Sequence, residues 1–336
     1  MVIESDNIIK NPVVSVLVFT YNQERYISQC VDAILSQKTD FDFEIVISDD
    51  CSTDRTPEIC KNYQQKYPRQ IRLNLQEQNR GIARNFGDTL PMARGKYVSS
   101  IAGDDFWILD TKLQIQKEYL DSHPLCGLCF TNMNSCNEQG EIIRERYLDT
   151  DELSKSFEDH LLHKGYIAPL TWMYRREMIS KYDINGSFTD ESFGFALDIF
   201  ATSHVDYIDI VSANYRTVVG TLSCPNTTQK WYRQYLGVFR AQQYYCEKYK
   251  VRDDMRRRVD MNGYIELLPY AIASGDMSFK EEAVKRCIEW GYDIKPYVTV
   301  CEEKQTAEKA LCAIKSSHAY KVGKAILKPL KYFTKK

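Results

Sequence analysis

Phe43-Glu44-Ile45-Val46-Ile47-Ser48-Asp49-Asp50 runs on into Cys51-Ser52-Thr53-Asp54, and Tyr97-Val98-Ser99-Ser100-Ile101-Ala102-Gly103-Asp104-Asp105 runs on into Phe106-Trp107. Each stretch is a short hydrophobic strand pattern that stops on two adjacent acids. In an open α/β sheet, ligands bind in the crevice beyond the carboxyl ends of the strands. Paired carboxylates there repel one another unless a cation or hydrogen-bond donors offset their charge. A hard divalent ion that holds a substrate phosphate through one or two carboxylates meets that need. The two acidic pairs point to metal-assisted chemistry on a nucleotide-linked substrate.

The segments on either side supply the rest of the sheet. Val13 to Phe19 is β-branched and apolar on both faces, as a central parallel strand should be, and ends at Thr20-Tyr21-Asn22-Gln23-Glu24. A helical pattern follows through Tyr26, Ile27, Cys30, Ile34 and Leu35. Ser52-Thr53-Asp54 precedes a second helix, with Pro57 near its first turn. Further strands are expected at Ile71 to Leu75 and Gly127 to Asn132, with helices around Phe86 to Met92 and from Thr111 to Leu120. This alternation predicts an α/β fold: a mostly parallel central sheet flanked by helices on both faces. From about Asn226 the strand signals give way to helical stretches at Trp231 to Tyr249, Asp254 to Ile272, Phe279 to Trp290 and Glu302 to Ile314. The expected division is a catalytic domain at 1–225, a helical region at 226–316 and a basic amphipathic tail at 317–336.

At 336 residues the chain has ample length for a buried core, and its 43% hydrophobic and 27% charged composition is that of a globular protein. A formal net charge of −2 gives no electrostatic case for a nucleic-acid partner. The first ten residues lack the basic start and apolar stretch of a signal peptide, and no run approaches the roughly 18 apolar residues of a membrane span. Retention in the cytoplasm is the expectation. Of the eleven cysteines, Cys126 and Cys129 are spaced like a metal or redox motif. They lie in a buried-strand pattern with no second Cys-x-x-Cys, so reduced structural thiols are expected. Residues 311–336 contain no acid, and six lysines follow Ser317. At about 100° per residue, Lys321, Lys324, Lys328, Lys331 and Lys335 share one face, opposite Val322, Ile326, Leu330 and Phe333. That is the pattern of a helix lying on anionic lipid, kinked at Pro329, so peripheral contact at the inner face of the membrane is expected.

Four blocks resemble family 2 glycosyltransferases, inverting enzymes of the glycosyltransferase-A fold. Ser15-Val16-Leu17-Val18-Phe19-Thr20-Tyr21-Asn22 is similar to the family's opening strand and nucleotide loop. Val46 through Asp54 resembles its second strand and acidic loop, and Asn79-Arg80-Gly81-Ile82-Ala83-Arg84-Asn85-Phe86 its Asn-x-Gly loop and helix. Gly95 through Trp107 resembles the strand leading into its metal-binding acidic motif. A weaker match runs from Pro169 through Tyr207-Ile208-Asp209 to Asn214-Tyr215-Arg216.

The resemblance implies roles. Thr20, Tyr21 and Asn22 would line the nucleotide, with Asp49 or Asp50 accepting from its base or ribose. Arg84 would meet the diphosphate, while Asn79 and Gly81 shape their loop. Asp104 would hold Mn²⁺ or Mg²⁺, and Asp105 would either bind the same metal or orient its ligands. The general base of an inverting transfer would be Glu191, with Asp190 as the other candidate and Asp198 as the outsider. UDP is the expected nucleotide, because an acid suits uracil N3–H without excluding other bases. The expected acceptor is a glycan or lipid-linked one in surface-polysaccharide biosynthesis. Two departures stand out: Ala102 occupies a position where the family usually has another acid, and no His follows Tyr215-Arg216. A non-catalytic nucleotide- or glycan-binding relative and a sugar nucleotidyltransferase are the alternatives. The second would be expected to carry a Gly-rich basic loop where Thr20-Tyr21-Asn22-Gln23-Glu24 stands.

Overall fold

The structure, a computed structural model, describes residues 1–151, 153–163, 167–182, 191–218 and 226–316, without the side chains of 163 and 310–316. Asp190, Val219, Gly220 and the basic tail at 317–336 lie outside the described residues. The described chain divides into two compact units: Met1–Asn226 with Leu236–Arg256, and Thr227–Tyr235 with the chain from Arg257 onward.

The first unit is built on a ten-stranded mixed sheet. In chain order its elements are β1 (Val2–Ile3), β2 (Val14–Thr20), α1 (Ile27–Leu35), β3 (Phe43–Asp49), α2 (Thr56–Lys66), β4 (Ile71–Leu75), α3 (Ile82–Thr89), β5 (Tyr97–Ala102), β6 (Phe106–Trp107), α4 (Lys112–Ser122), β7 (Cys126–Cys136), β8 (Ile142–Arg144), α5 (Phe157–His163), β9 (Met173–Arg175), α6 (Glu191–Thr202) and β10 (His204–Arg216). The strand order is β1-β4-β3-β2-β5-β9-β7-β10-β6, with β8 beside β7. β2 pairs in parallel with both β3 and β5, β4 with β3, and β10 with β7. Every residue of β2 and β3 is buried, which explains their apolar composition on both faces. The chain winds outward from β2 through β3 to β4 and then returns to place β5 on the other side of β2. The switch point of the sheet falls between the carboxyl ends of β2 and β5, the position where open α/β sheets take ligands.

The structure adds four antiparallel features to the expected parallel sheet, one of them the pairing of β8 with β7. The short strand β9 is inserted between β5 and β7, β6 folds back onto β10, and β1 edges β4. β7 extends to Cys136, well past Asn132, because β10 runs alongside it to Arg216. Cys126 and Cys129 are buried free thiols on β7.

Residues beyond β10 form α7 (Thr228–Lys248), α8 (Asp253–Ser274), α9 (Met277–Glu289) and α10 (Lys295–Ser316). In the second unit, Asp276 caps α9 by accepting from the Phe279 N–H at 2.9 Å and also accepts from the Tyr232 hydroxyl at 2.8 Å. α10 begins at Lys295, seven positions before the helix expected from Glu302, with Pro296 in its first turn. Among the described residues no helix is long and apolar enough to cross a membrane.

Candidate active site

The loops after β2 and β3 are bound to each other before any ligand is considered. Asn22, with φ 52°, accepts from the Thr53 N–H at 2.8 Å through Oδ1 and donates its own N–H to Ser52 Oγ at 2.8 Å. Gln23 N–H donates to Thr56 Oγ1 at 2.8 Å, and Asp54 accepts from both Glu24 and Thr56. Asn22 is thus a tie between loops. Tyr21 next to it is 45% exposed, with its ring free to meet a base.

Asp49 and Asp50 are both buried yet face different partners. Asp49 accepts from the Ser52 hydroxyl at 2.5 Å and the Ser52 N–H at 3.0 Å. Burial holds its carboxyl above the ordinary range, with the Ser52 bonds opposing. Asp50 takes the Arg80 N–H at 2.8 Å on one oxygen and the Gly81 N–H at 2.9 Å on the other. Those bonds fix the Asn79-Arg80-Gly81 turn, where Gly81 has φ +81°. α3 is held from beneath by Asn85, whose Oδ1 accepts from Ser48 Oγ at 2.6 Å. Arg84 is exposed near the start of α3 and has no carboxylate partner among the described residues. Arg80 instead pairs with Asp88 at 2.6 Å.

The second acidic pair sits in the turn between β5 and β6. Gly103 N–H continues the ladder to the Phe19 carbonyl at 2.9 Å, and Asp105 N–H closes the turn on the Ala102 carbonyl at 3.1 Å. This turn sends the two carboxylates in different directions. Asp105 is 5% exposed and accepts the Arg216 N–H on Oδ1 at 2.8 Å. Asp104 is half-buried, and the nearby Gln23 side chain and the Arg216 charge oppose the effect of burial on its carboxyl. Burial raises both carboxyls, and Asp105 stands well above the ordinary range because the Asp104 charge adds to its burial. Thr20 Oγ1 and Gln23 Oε1 are buried without partners among the described residues. They converge on Gly103: a methyl there would lie 3.0 Å from the first and 2.6 Å from the second.

This oxygen-rich corner fits a hard divalent cation held by one or two carboxylates. Asp104 would be the outward ligand, and Asp105, turned inward, would fit the orienting role. Among the described residues no three His, Cys, Asp or Glu side chains gather into a metal cage. Phosphate and water would complete the shell.

Glu191 opens α6 and is 3% exposed, and neither carboxylate oxygen has a partner among the described residues. Burial alone lifts its carboxyl to about 7. α6 leads into the amino end of β10, so its own first residue lies toward the carboxyl edge of the sheet, the edge that carries Asp104. Phe195, one turn further along the same helix face, packs 5.8 Å from Phe86, and Phe86 packs 5.2 Å from Phe19. Asp198, by contrast, is occupied by Lys248 at 2.7 Å, Tyr245 at 2.9 Å and Tyr249 at 2.6 Å, and anchors α7.

A family model, Glycosyl transferase family 2, matches residues 15–183, half of the chain. The chain belongs to glycosyltransferase family 2. The match runs from β2 through the acidic turn and past β9. Among relatives, the chain is 37% identical over 163 residues to the uncharacterized protein Rv1520 of Mycobacterium tuberculosis, covering 48% of this chain and 47% of that one. It is 29% identical over 221 residues to TuaG, a Bacillus subtilis glycosyltransferase named for teichuronic acid biosynthesis, covering 66% and 83%. A 145-residue match, 34% identical, links it to the chondroitin synthase of Pasteurella multocida, covering 43% and 15%. The chain spans about half the length of the first of these relatives. Among solved structures, Staphylococcus aureus TarS residues 1–349 superposes with a TM-score of 0.56 at 16% identity, covering 87% of this chain and 88% of that one. The mannosyltransferase PcManGT of Pyrobaculum calidifontis, solved with GDP-mannose and Mn²⁺, gives 0.52 at 17% identity, covering 90% and 87%. These two likenesses establish the glycosyltransferase-A fold.

Two site residues receive no role from the sequence. Gln23 reads as an ordinary loop residue, and Arg216, although it ends the Asn214-Tyr215-Arg216 match, lies 111 positions away from its partner Asp105.

Proposed function

We propose that this chain transfers a sugar from a nucleoside diphosphate sugar, UDP-linked, to a hydroxyl of a glycan or lipid-linked acceptor, with inversion and with Mn²⁺ or Mg²⁺. The observation that carries this reading is Glu191: a buried carboxyl without a partner among the described residues, raised to about 7, at the sheet edge that also carries the Asp104 turn. Such a group is suited to accept a proton near neutral pH. The names of relatives in teichuronic acid, chondroitin and hyaluronan synthesis support a role in polysaccharide assembly. Solved neighbours bound to UDP-GlcNAc and to UDP support the choice of nucleotide. The basic tail at 317–336 would bring the chain to an anionic membrane carrying the acceptor.

Tyr21 stacks on the base, and Asp49 accepts from the base or ribose. Asp50 presents the Arg80–Gly81 turn, and Arg84 meets the diphosphate as a charge-assisted donor. Asp104 holds the divalent cation, with Asp105 behind it. When bound, the cation acts as a Lewis acid on the departing diphosphate. Glu191 takes the proton of the acceptor hydroxyl as its oxygen bonds to the anomeric carbon. The bond from that carbon to the phosphate oxygen breaks, and the diphosphate leaves with the electron pair. Asp190, outside the described residues, is the alternative base.

A panel of UDP- and GDP-sugars, incubated with Mn²⁺ and scored for nucleotide release with and without glycan acceptors, tests this proposal. Release from at least one donor, abolished by chelation and by Glu191→Gln, supports it. Donor binding with no turnover under any condition would favour the non-catalytic alternative.

A further inference from the structure

The site holds a cation of its own, and neither the acidic motif nor the proposed chemistry accounts for it. Arg216, the last residue of β10, is 2% exposed. Its backbone N–H donates to Asp105 Oδ1, and its Nε donates to the Asp104 carbonyl oxygen, each at 2.8 Å. Nη1 donates to the Glu138 carbonyl at 2.7 Å and Nη2 to Gln29 Oε1 at 2.7 Å. The guanidinium carbon lies 4.7 Å from the Tyr26 ring centre and 5.1 Å from that of Phe106. Its hydrogen bonds go to carbonyl and amide oxygens, so this buried charge is not used up in a direct ion pair among the described residues.

Burying an unpaired guanidinium is unfavourable unless nearby charge offsets it. The charge that offsets it here is that of Asp104 and Asp105, on the turn it grips. Its grip also joins two parts of the fold. The turn Asn137-Glu138-Gln139-Gly140 leading to β8 is closed by Asn137 Oδ1, which accepts from the Gln139 and Glu141 N–H groups. Arg216 ties that turn to the Asp104 backbone.

We propose that Arg216 is a positioning residue for the diphosphate end of the site: it sets the Asp104–Asp105 turn, locks it to the 137–140 turn and places a permanent positive charge behind it. The inference rests on reading the acidic turn as the metal–diphosphate site. Lysine keeps the charge, but it cannot donate to Asp104, Gln29 and Glu138 at once from a planar fork stacked between two rings. The arrangement therefore requires arginine.

Calorimetry with UDP and Mn²⁺, with GDP in place of UDP if UDP does not bind, and with uridine or guanosine alone, tests the inference on the full chain. Arg216→Lys is expected to weaken Mn²⁺-dependent nucleoside diphosphate binding by about tenfold, the usual effect of losing a group that orients a metal ligand. Its nucleoside affinity should stay within about twofold of wild type, a pattern that general loss of structure would not give. If that variant does not fold, Gln29→Leu, which removes the Nη2 partner and leaves the guanidinium, is expected to weaken the same metal-dependent binding by about threefold. A folded Arg216→Lys, or failing that Gln29→Leu, with unaltered Mn²⁺-dependent affinity overturns the inference. A wild type that binds neither diphosphate with Mn²⁺ overturns the reading of the acidic turn instead, a result distinct from an unaffected variant.

Discussion

Asp105 accepts the backbone N–H of Arg216 at 2.8 Å across 111 positions of sequence. The contact exists because β10 runs beside β7 to its end and pairs with β6, which follows the acidic turn. It turns Asp105 inward and leaves Asp104 as the carboxylate that faces the cleft.

That division of roles predicts opposite behaviour for two similar substitutions. Asp105 is raised well above the ordinary carboxylate range by burial and by Asp104. A raised folded value means that its contribution to stability is complete below the unfolded value near 4 and is lost as pH rises through the folded one. Asp105→Asn keeps an acceptor for Arg216 and cannot ionise. In metal-free protein it should raise stability at pH 8, with little effect at pH 4. Asp104→Asn should instead remove metal-dependent nucleotide binding. Thermal melting across pH, paired with a Mn²⁺ titration, checks both outcomes.

Gly103 leaves room for two oxygens without partners among the described residues. Alanine there would place a methyl 2.6 Å from Gln23 Oε1, 2.9 Å from Ile27 Cδ1 and 3.0 Å from Thr20 Oγ1. Ile27 is buried and has little freedom to retreat. Gly103→Ala is expected to destabilise the fold by about 1–3 kcal/mol and to push the Gln23 side chain out of the acidic turn. Urea unfolding measures the first effect. Weaker Mn²⁺-dependent UDP binding reports the second.

Glu191 gives the clearest pH signature. Its carboxyl is raised from 4.5 to about 7 by burial, so the folded state is penalised as pH climbs through that interval. Glu191→Gln should stabilise the protein by up to about 3 kcal/mol at pH 8, with much of the gain gone by pH 5. The same change should lower turnover by about 10²–10⁴ while donor binding persists. The wild-type rate should rise with pH through about 7 as the base ionises. A variant that is more stable but inactive is hard to explain by misfolding.

Lys112 is a fully buried amine held at about 7 by desolvation, with Nζ donating to Gln116 Oε1 at 2.6 Å and lying 4.3 Å from the Trp107 ring centre. Between pH 7 and its ordinary value of 10.5, the unfolded chain binds a proton that the folded one lacks. Wild-type stability should therefore gain a rising component over that window. Lys112→Met, similar in size, should remove that component. Denaturant unfolding at pH 7 and pH 10 compares the slopes.

The parallel half of the sheet was legible because β2, β3 and β5 are almost wholly buried, so apolar residues dominate both faces and only a few buried polar residues, such as Ser15, Glu44 and Ser99, interrupt them. The acidic turn could be placed because it ends such a strand. Three-residue β9 and two-residue β6 are too short to show a period, and their antiparallel pairings come from contacts remote in sequence. α3 begins at Ile82, four positions before the helix expected around Phe86. Its first turn is held by the buried polar groups Asn85 and Ser48 and by the Gly81 entry, none of which marks a helical face. Pro91 ends it in a short 3₁₀ turn. Arg216 could not be assigned from sequence because its role depends on groups at positions 29, 104, 105 and 138.

The central claim is that Asp104 holds a metal-bridged nucleoside diphosphate. The most direct measurement is UDP binding by calorimetry, with and without Mn²⁺, on the wild type and on Asp104→Ala. The account predicts tight binding only with Mn²⁺ in the wild type, lost in the variant while its melting curve stays cooperative. UDP binding that is indifferent to both Mn²⁺ and Asp104 would contradict it.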